Sequence, residues 1–407
     1  MMEDLPRLAI RRAELQRDCF DIFVRANEAL GTMRGVSKTS VLCRREGMRI
    51  GLKRIFSRFC WTQKLRDTLY LNSNEEELDP FFASCASEDS AILEELMNGG
   101  RTLEEAQHVF SIVSERLVES AKTMHRLSST LKASASTSEE VTLEIKSEIA
   151  IDSDEDDNLC DIAVQDNTYS IRLGHLRKLL RLYSTYTQAS CDMMDPTFLR
   201  RVFCVLSRIE LLSADSVGYQ MALPESKFGV LSSLLGVNTE CFASPLNVTL
   251  ERYFSVAPDT DQFFGAKGNF FASNLGQYEF PLSLQANPPF VEEIMVNMAQ
   301  KIESFLEDGE SQDAALSFSV FIPAWHQDDD YKAYQILKTS RFQRRIVRLL
   351  EEKHSWCPGM QHRMKHSLHH IFFPSKQKSL LVVLQTSQAA KKWPLGDLPM
   401  GEIFNSH

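Results

Sequence analysis

LSLQANPPFVEEIMVNMAQKIESFL, residues 282–306, is the stretch on which the reading of this chain turns. Leu282 to Ala286 has the length and composition of a buried strand, and beyond it Val291, Ile294, Met295, Met298, Ile302 and Phe305 recur at helical spacing. The tetrapeptide Asn287, Pro288, Pro289 and Phe290 is therefore expected in the turn from strand to helix. In an open α/β sheet such a turn faces the crevice outside the carboxyl ends of the strands, where ligands bind.

Working outward, further strand candidates are Glu240 to Ala243, Leu316 to Ile322, Leu368 to Phe373 and Ser379 to Gln385. Helical spacing appears at 7–30, 52–70, 103–131, 175–186 and 196–213. The last two strands are separated by PSKQK and are expected to pair as an antiparallel hairpin. Strands alternating with helices predict an α/β fold, a mostly parallel Rossmann-type sheet of the kind methyltransferases use. The expected division is a helical domain over 1–135, an acidic linker or hairpin over 136–170, and the α/β domain over 171–402. Within the linker, VTLEIKSEIAI alternates like a short edge strand, and the run DSDEDD at 152–157 reads as a solvated loop.

Composition narrows the class. A chain of 407 residues, 43% hydrophobic, can bury two cores of ordinary size. Apolar runs such as Leu380 to Leu384 are strand-length, too short to cross a bilayer, so no membrane partner is expected. The start, MMEDLPRLAIRR, has no apolar stretch of the secretory kind, which points to the nucleus, with the cytoplasm as the alternative. The nine cysteines include no Cys-x-x-Cys pair, which argues against a disulfide framework or a zinc ribbon. The net charge of −10 hides an uneven distribution: Cys43 to Arg66 holds eight basic residues against Glu46 alone, while 138–161 is acidic. Arg44, Arg45, Arg49, Lys53 and Arg54 make the first segment a candidate phosphate-binding surface or a solvated helix face. Arg341, Arg344, Arg345 and Arg348 form a second cluster that could line an RNA path.

The chemistry of the tetrapeptide suits an exocyclic amine on a purine. Such an amine is a weak nucleophile because its lone pair is delocalised into the ring, so it needs positioning and acceptors more than a strong base. The Asn287 side-chain carbonyl can take one hydrogen and the Pro288 main-chain carbonyl the other. Two prolines stiffen the loop in advance, and Phe290 offers a ring to stack on the base, worth about 1–3 kcal/mol. The competing reading is a Pro-Pro turn that merely ends a strand.

A second anchor lies upstream. If Glu240 to Ala243 is the first strand, then Ser244, Pro245, Leu246 and Asn247 form its turn, facing the methionine part of a nucleoside donor. Asp259 or Asp261 falls roughly 20 residues after that turn, where an acid can meet a ribose hydroxyl; a solvent-facing turn explains the same residues. The turn has no G-x-G-x-x-G.

With these residues in place, the chain resembles the mRNA cap-specific adenosine N6-methyltransferase family. The resemblance rests on ECFASPLN (240–247), PDTDQFFGAKG (258–268), ANPPFVEE (286–293), SFSVFIPAW (317–325) and SRF (340–342), and spans roughly residues 230–395. It implies S-adenosylmethionine as donor, no metal, and the 2′-O-methyladenosine beside the 7-methylguanosine cap of mRNA as substrate. It also implies that Asn287 to Phe290 hold donor and adenine, and that Glu292 and the segment Pro323 to His326 face substrate. Trp325 suits a cationic cap base through cation–π attraction. Internal RNA or DNA adenine methylation and a non-catalytic RNA-binding adaptor remain the alternatives. Tail-binding members of the family carry a WW domain, and none of Trp61, Trp325, Trp356 or Trp393 sits in such a motif, which weighs against RNA polymerase II tail docking. His362, His366, His369 and His370 lack cysteine or carboxylate companions at ligand spacing and are read as non-metal residues.

Overall fold

Apolar side chains on one helical stripe make the first segment α1 (Pro6–Ala29), which buries Leu8, Leu15, Cys19 and Phe23. The computed structural model describes residues 6–30, 52, 55–56, 90–98, 100–133, 140–146, 158–189, 191–213, 221–274, 278–325, 331–364 and 372–405. After α2 (Ser90–Asn98), the long α3 (Leu103–Ala133) starts on a reciprocal cap: the Glu105 N–H donates to Thr102 Oγ1 at 3.2 Å, and the Thr102 N–H donates to Glu105 Oε2 at 2.9 Å. α1 lies against α3, where Arg116 Nε donates to Asp18 at 2.9 Å. The helix expected over 52–70 falls almost wholly outside the described residues, although Leu52 and Phe56 are helical and buried.

Alternation then replaces helical spacing. β1 (Val141–Lys146), β2 (Leu159–Val164) and β3 (Asn167–Arg172) form an antiparallel meander with β1 at one edge. The expected linker or hairpin is thus a three-stranded sheet, and its acidic run at 152–157 lies outside the described residues. Cys160, Ile162 and Val164, at every second position of β2, join a core with Phe198, Val202 and Phe203. Those partners come from α5 (Pro196–Ser213), which follows α4 (Leu173–Thr187) and precedes α6 (Glu225–Leu235).

The main sheet comprises β4 (Thr239–Glu240), β5 (Arg252–Tyr253), β6 (Leu282–Ala286), β7 (Leu316–Pro323), β8 (Gln343–Leu349) and β11 (Ser379–Gln385), in the spatial order β5-β4-β6-β7-β11-β8. The remaining elements are α7 (Pro258–Asp261), α8 (Glu292–Ser311), α9 (Lys332–Thr339), the small pair β9 (Ser355–Trp356) and β10 (Phe373–Pro374), α10 (Ser387–Lys392) and α11 (Met400–Phe404). β4 to β7 are mutually parallel, and β11 runs antiparallel to both β7 and β8. From β4 the chain goes to β5 on one side and returns to β6 on the other, so the strand order reverses at β4. The crevice at the carboxyl ends of β4 and β6 is the topological switch point, where ligands bind in such sheets.

β6, β7 and β11 are buried along their whole length, as sheets covered on both faces require. Leu380, Val382 and Leu384 of β11 pack with Ile294, Met298 and Ile302 of α8 and Leu337 of α9. Leu381 and Val383 face the other way, toward Leu231 and Leu235 of α6 and Met400 and Phe404 of α11. The buried faces of α1 and α3 run unbroken into the first of these layers, so packing does not delimit the separate helical domain expected ahead of the sheet.

One expectation is corrected. Phe373 pairs with Trp356 rather than with β11, which inserts between β7 and β8; residues 368–371 lie outside the described ones. Three residues of the second basic cluster, Arg344, Arg345 and Arg348, lie on the edge strand β8, with Arg341 just before it. Arg341 pairs with Glu307, Arg344 donates to the Gln385 carbonyl at 3.1 Å, and Arg345 donates to the Leu398 and Gly396 carbonyls at 2.8 and 2.5 Å.

Leu284, in mid-β6, is fully buried in the layer shared with α8. Leu284→Ala is expected to cost about 2–5 kcal/mol by lost burial and an unfilled cavity. Urea unfolding checks this, and a loss below about 1 kcal/mol would contradict the packing described.

Candidate active site

Asn287 is the first residue past β6, and the hydrogen bond it makes fixes which way its amide faces. Its Nδ2 donates to the Met221 carbonyl at 2.8 Å. A carbonyl can only receive an N–H, so the amide cannot flip, and Oδ1 must point the other way. That oxygen is buried and has no hydrogen-bond partner among the described residues. Leaving such an acceptor unmet costs about 1–3 kcal/mol, which marks it as a place for an external donor. The Met221 carbonyl is itself held in place, because the next residue, Ala222, exchanges two backbone hydrogen bonds with Cys357 at 3.0 and 2.8 Å.

Pro288 and Pro289 are buried. The Val291 N–H donates to the Pro289 carbonyl at 2.7 Å, whereas the Pro288 carbonyl receives no hydrogen bond from the described residues. The loop thus presents two acceptors with vacant lone pairs in succession. Phe290 is half-buried, and its ring meets Trp356 near-perpendicularly with centroids 6.2 Å apart. Trp356 is wedged in turn by Phe321 at 6.3 Å and His354 at 5.9 Å, and the His354 ring bonds the Leu350 carbonyl and Ser379 Oγ. The site roles of Met221 and Trp356 are not legible in the sequence: one acts through its main chain, and the other, weighed only against a WW motif, lies 66 residues downstream of Phe290 in the chain. Glu292 starts α8 on its solvent side.

The neighbouring strand β4 ends in a turn that is locked internally. Asn247 Oδ1 accepts the Ser244 N–H at 2.7 Å and the Ser244 hydroxyl at 3.0 Å. The Val248 N–H returns to the Ser244 carbonyl at 2.9 Å. Glu240, wholly buried, takes the Thr249 and Leu250 N–H groups on one oxygen at 2.6 and 2.7 Å, and burial pushes its carboxyl up to about 7. Because Glu240 pairs with Gln285 across the strands, this turn and the Asn287 loop leave the sheet side by side. Gln285 Nε2 is also buried and unpartnered, two residues before Asn287 and therefore on the same face of β6.

A cavity of about 360 Å³ adjoins the turn after β4. Its walls include His175 and Lys178 of α4, Leu223 and Glu225 at the start of α6, the turn Leu246 to Thr249, and Cys357. Ala222, next to the Met221 that anchors Asn287, also lines it. The volume lies within the range of roughly 300–1,000 Å³ that small-molecule sites occupy. Burial pushes His175 down to about 3, so it is neutral at pH 7, and Lys178 down to about 8.

Of the residues singled out in the sequence, the fold brings Asn287, Pro288, Pro289 and Phe290 together with Ser244, Pro245 and Asn247. Asp261 is corrected. It is buried within its own loop, one oxygen taken by the Ser255 hydroxyl and the other by Thr260 Oγ1 at 2.8 Å, so it offers nothing to a ribose. Asp259 accepts from both Arg208 Nη atoms at 3.2 and 2.7 Å, tying α7 to α5. Pro323 ends β7 and its carbonyl accepts the Tyr331 hydroxyl; Trp325, two residues on, is 37% exposed with its ring 5.4 Å from Tyr331. Arg44, Arg45, Arg49 and His326 lie outside the described residues, as do His366, His369 and His370; His362 is buried.

Comparison with known proteins bears on this geometry. Residues 178–359 match the family described as Phosphorylated CTD interacting factor 1 WW domain. A human protein named mRNA (2′-O-methyladenosine-N(6)-)-methyltransferase is 34% identical over 246 residues, covering 58% of this chain and 33% of the relative. Its mouse counterpart is 35% identical over 228 residues, covering 54% and 30%. The chain is similar to mRNA adenosine methyltransferases. It spans about a third of the length of these relatives. The mixed sheet with its covering helices is consistent with a methyltransferase-like fold. The expectation that the chain lacks a recognisable WW motif stands beside a match to a family whose description names that domain. The match runs from within α4 past β9, far longer than the short tryptophan motif sought in the sequence.

Asp259→Ala would remove both carboxylate bonds to the buried Arg208 guanidinium and is expected to cost about 3 kcal/mol. Urea unfolding would register it, and a variant as stable as the parent would show that the pair does not anchor α7.

Proposed function

We propose that this chain transfers a methyl group from S-adenosylmethionine to N6 of an adenosine in RNA, the 2′-O-methyladenosine that follows the 7-methylguanosine cap of mRNA. The observation that carries this reading is the buried Asn287 Oδ1, held toward an absent partner by the bond from Nδ2 to Met221. An N6 amine has two hydrogens, and the loop has two vacant acceptors, Asn287 Oδ1 and the Pro288 carbonyl. Accepting both turns the nitrogen lone pair out of conjugation with the ring, which raises its nucleophilicity where positioning is the main requirement. Phe290, backed by Trp356, supplies the stacking surface.

The residues at the crevice suit the donor. The cavity beside the Ser244 to Thr249 turn has the volume and mixed polarity for part of a nucleoside with an amino-acid tail, and Ser244, Pro245, Asn247 and Asn287 are the residues that would hold it. S-adenosylmethionine, when bound, supplies an electrophilic sulfonium methyl. No metal is assigned a role. Trp325, exposed at the end of β7, is the residue proposed to meet the cationic cap base, with Glu292 and Pro323 toward the substrate and Arg44, Arg45 and Arg49 toward its phosphates. The names of the relatives support the cap-adjacent adenosine over an internal one. Docking to the phosphorylated polymerase II tail and residence in the nucleus belong to the same proposal, the first supported by the description of the matched family.

Methyl transfer from labelled donor to capped and uncapped oligonucleotides, with the product nucleoside identified, tests the reading. The expected product is N6-methylated adenosine on capped RNA only, and equal rates on both would remove the cap assignment. Asn287→Ala is expected to lower kcat by about 100-fold or more, with the melting temperature changed little, because losing the bond to the Met221 carbonyl offsets the removal of an unmet buried acceptor. Near-normal turnover in that variant would discard the assignment of Asn287.

A further inference from the structure

α4 carries one cation into the crevice that the proposed chemistry has not used. Lys178 is partly buried, and its Nζ donates to the Val248 carbonyl at 2.6 Å and to the Leu246 carbonyl at 3.3 Å. Both carbonyls belong to the turn after β4, and Lys178 lines the cavity that this turn borders. An ammonium has three N–H groups, so one remains beyond the two carbonyls. The lock of Asn247 on Ser244 shapes the turn from within, and Glu240 of β4 holds its far end through the Thr249 and Leu250 N–H groups. Lys178 grips the middle of the same turn from α4, an element that precedes the main sheet in the chain.

We infer that Lys178 is a positioning residue for the methyl donor: its ammonium, clamped on the Leu246 and Val248 carbonyls, holds the Ser244 to Val248 turn in the shape that receives the amino-acid end of the donor. This rests on the methyltransferase reading above. Charge-assisted bonds to two carbonyls are stronger than neutral ones, and removing the cation leaves both oxygens at a crevice with reduced access to water. The turn then relaxes toward the cavity and narrows it.

The surroundings make the clamp sensitive to pH. Facing Lys178 are Glu240 from β4, Glu225 from α6, Cys357 from the segment after β9, and Arg181 and His175 from its own helix. Burial pushes the ammonium down to about 8, with Glu240 and Glu225 opposing that shift. The clamp is therefore charged at pH 7 and is lost as pH rises through about 8. Glu240, pushed up to about 7, ionises near neutrality and is charged before the ammonium is lost, while the thiol of Cys357 is pushed up to about 12 and His175 down to about 3, outside the window.

The test uses the full chain and S-adenosylhomocysteine as probe, with binding measured calorimetrically from pH 6.5 to 9.5 beside steady-state methyl transfer. Wild-type affinity is expected to fall above pH 8. Lys178→Met is expected to weaken binding and raise the donor KM by about tenfold or more, with the capped-RNA KM unchanged and no alkaline fall. Lys178→Arg, whose charge persists, is expected to keep affinity past pH 9. Donor affinity in folded Lys178→Met equal to wild type, or the same alkaline fall in either variant, would overturn the inference. Should Lys178→Met not fold, the wild-type and Lys178→Arg profiles decide alone: an alkaline fall present in one and absent in the other supports the clamp. Wild-type protein that binds no S-adenosylhomocysteine at any pH would instead remove the methyltransferase reading itself.

Discussion

An asparagine amide has a donor end and an acceptor end, and which end a ligand meets depends on what the protein does with the other. Here the Met221 carbonyl takes the donor end of Asn287, and everything proposed for the site follows from the acceptor being left over. That bond depends on the approach of two distant segments: the one leading into α6, tied to Cys357, and the loop leaving β6. Neither the turn after β4 nor the ring of Phe290 would be relevant to a purine amine if Oδ1 were satisfied internally.

The sheet supplies the frame for this contact. Strand order reverses at β4, so two loops from adjacent parallel strands emerge with no strand crossing between them. The reversed strand β11 is far from this point and contributes rigidity rather than chemistry, its apolar side chains alternating between the α8 and α6 layers. Polar side chains buried on the α6-facing side of β6 and β7, Ser283, Gln285, Ser317 and Ser319, stand apart from that pattern. They continue the line of Asn287 down the sheet, so the crevice is polar at its floor as well as at its mouth.

Several readings of the sequence followed local rules that tertiary pairing overrode. Ser379 to Gln385 has the composition of a central strand, and burial on both faces agrees, but a short connection to Phe373 suggested a hairpin where the strand instead inserts between β7 and β8. Gln343 to Leu349 looked basic rather than extended because its arginines obscure the alternation of an edge strand. Asp261 stood at a plausible distance from the first turn, yet a carboxylate at that spacing can be satisfied by hydroxyls as well as by a sugar, and Ser255 and Thr260 satisfy it here.

The sequence by itself determined the strand, turn and helix around Asn287, because a five-residue apolar strand, two prolines and a helical stripe are local features with local physical causes. It also determined the chemical types at the site: two acceptors in succession and an aromatic ring. Only the tertiary structure decided which end of the amide faces outward, that Trp356 braces Phe290, and that Lys178 of α4 grips the turn after β4. Those three contacts join residues 66 to 70 positions apart, and no propensity or spacing rule reaches across such separations without the packed core that brings them together.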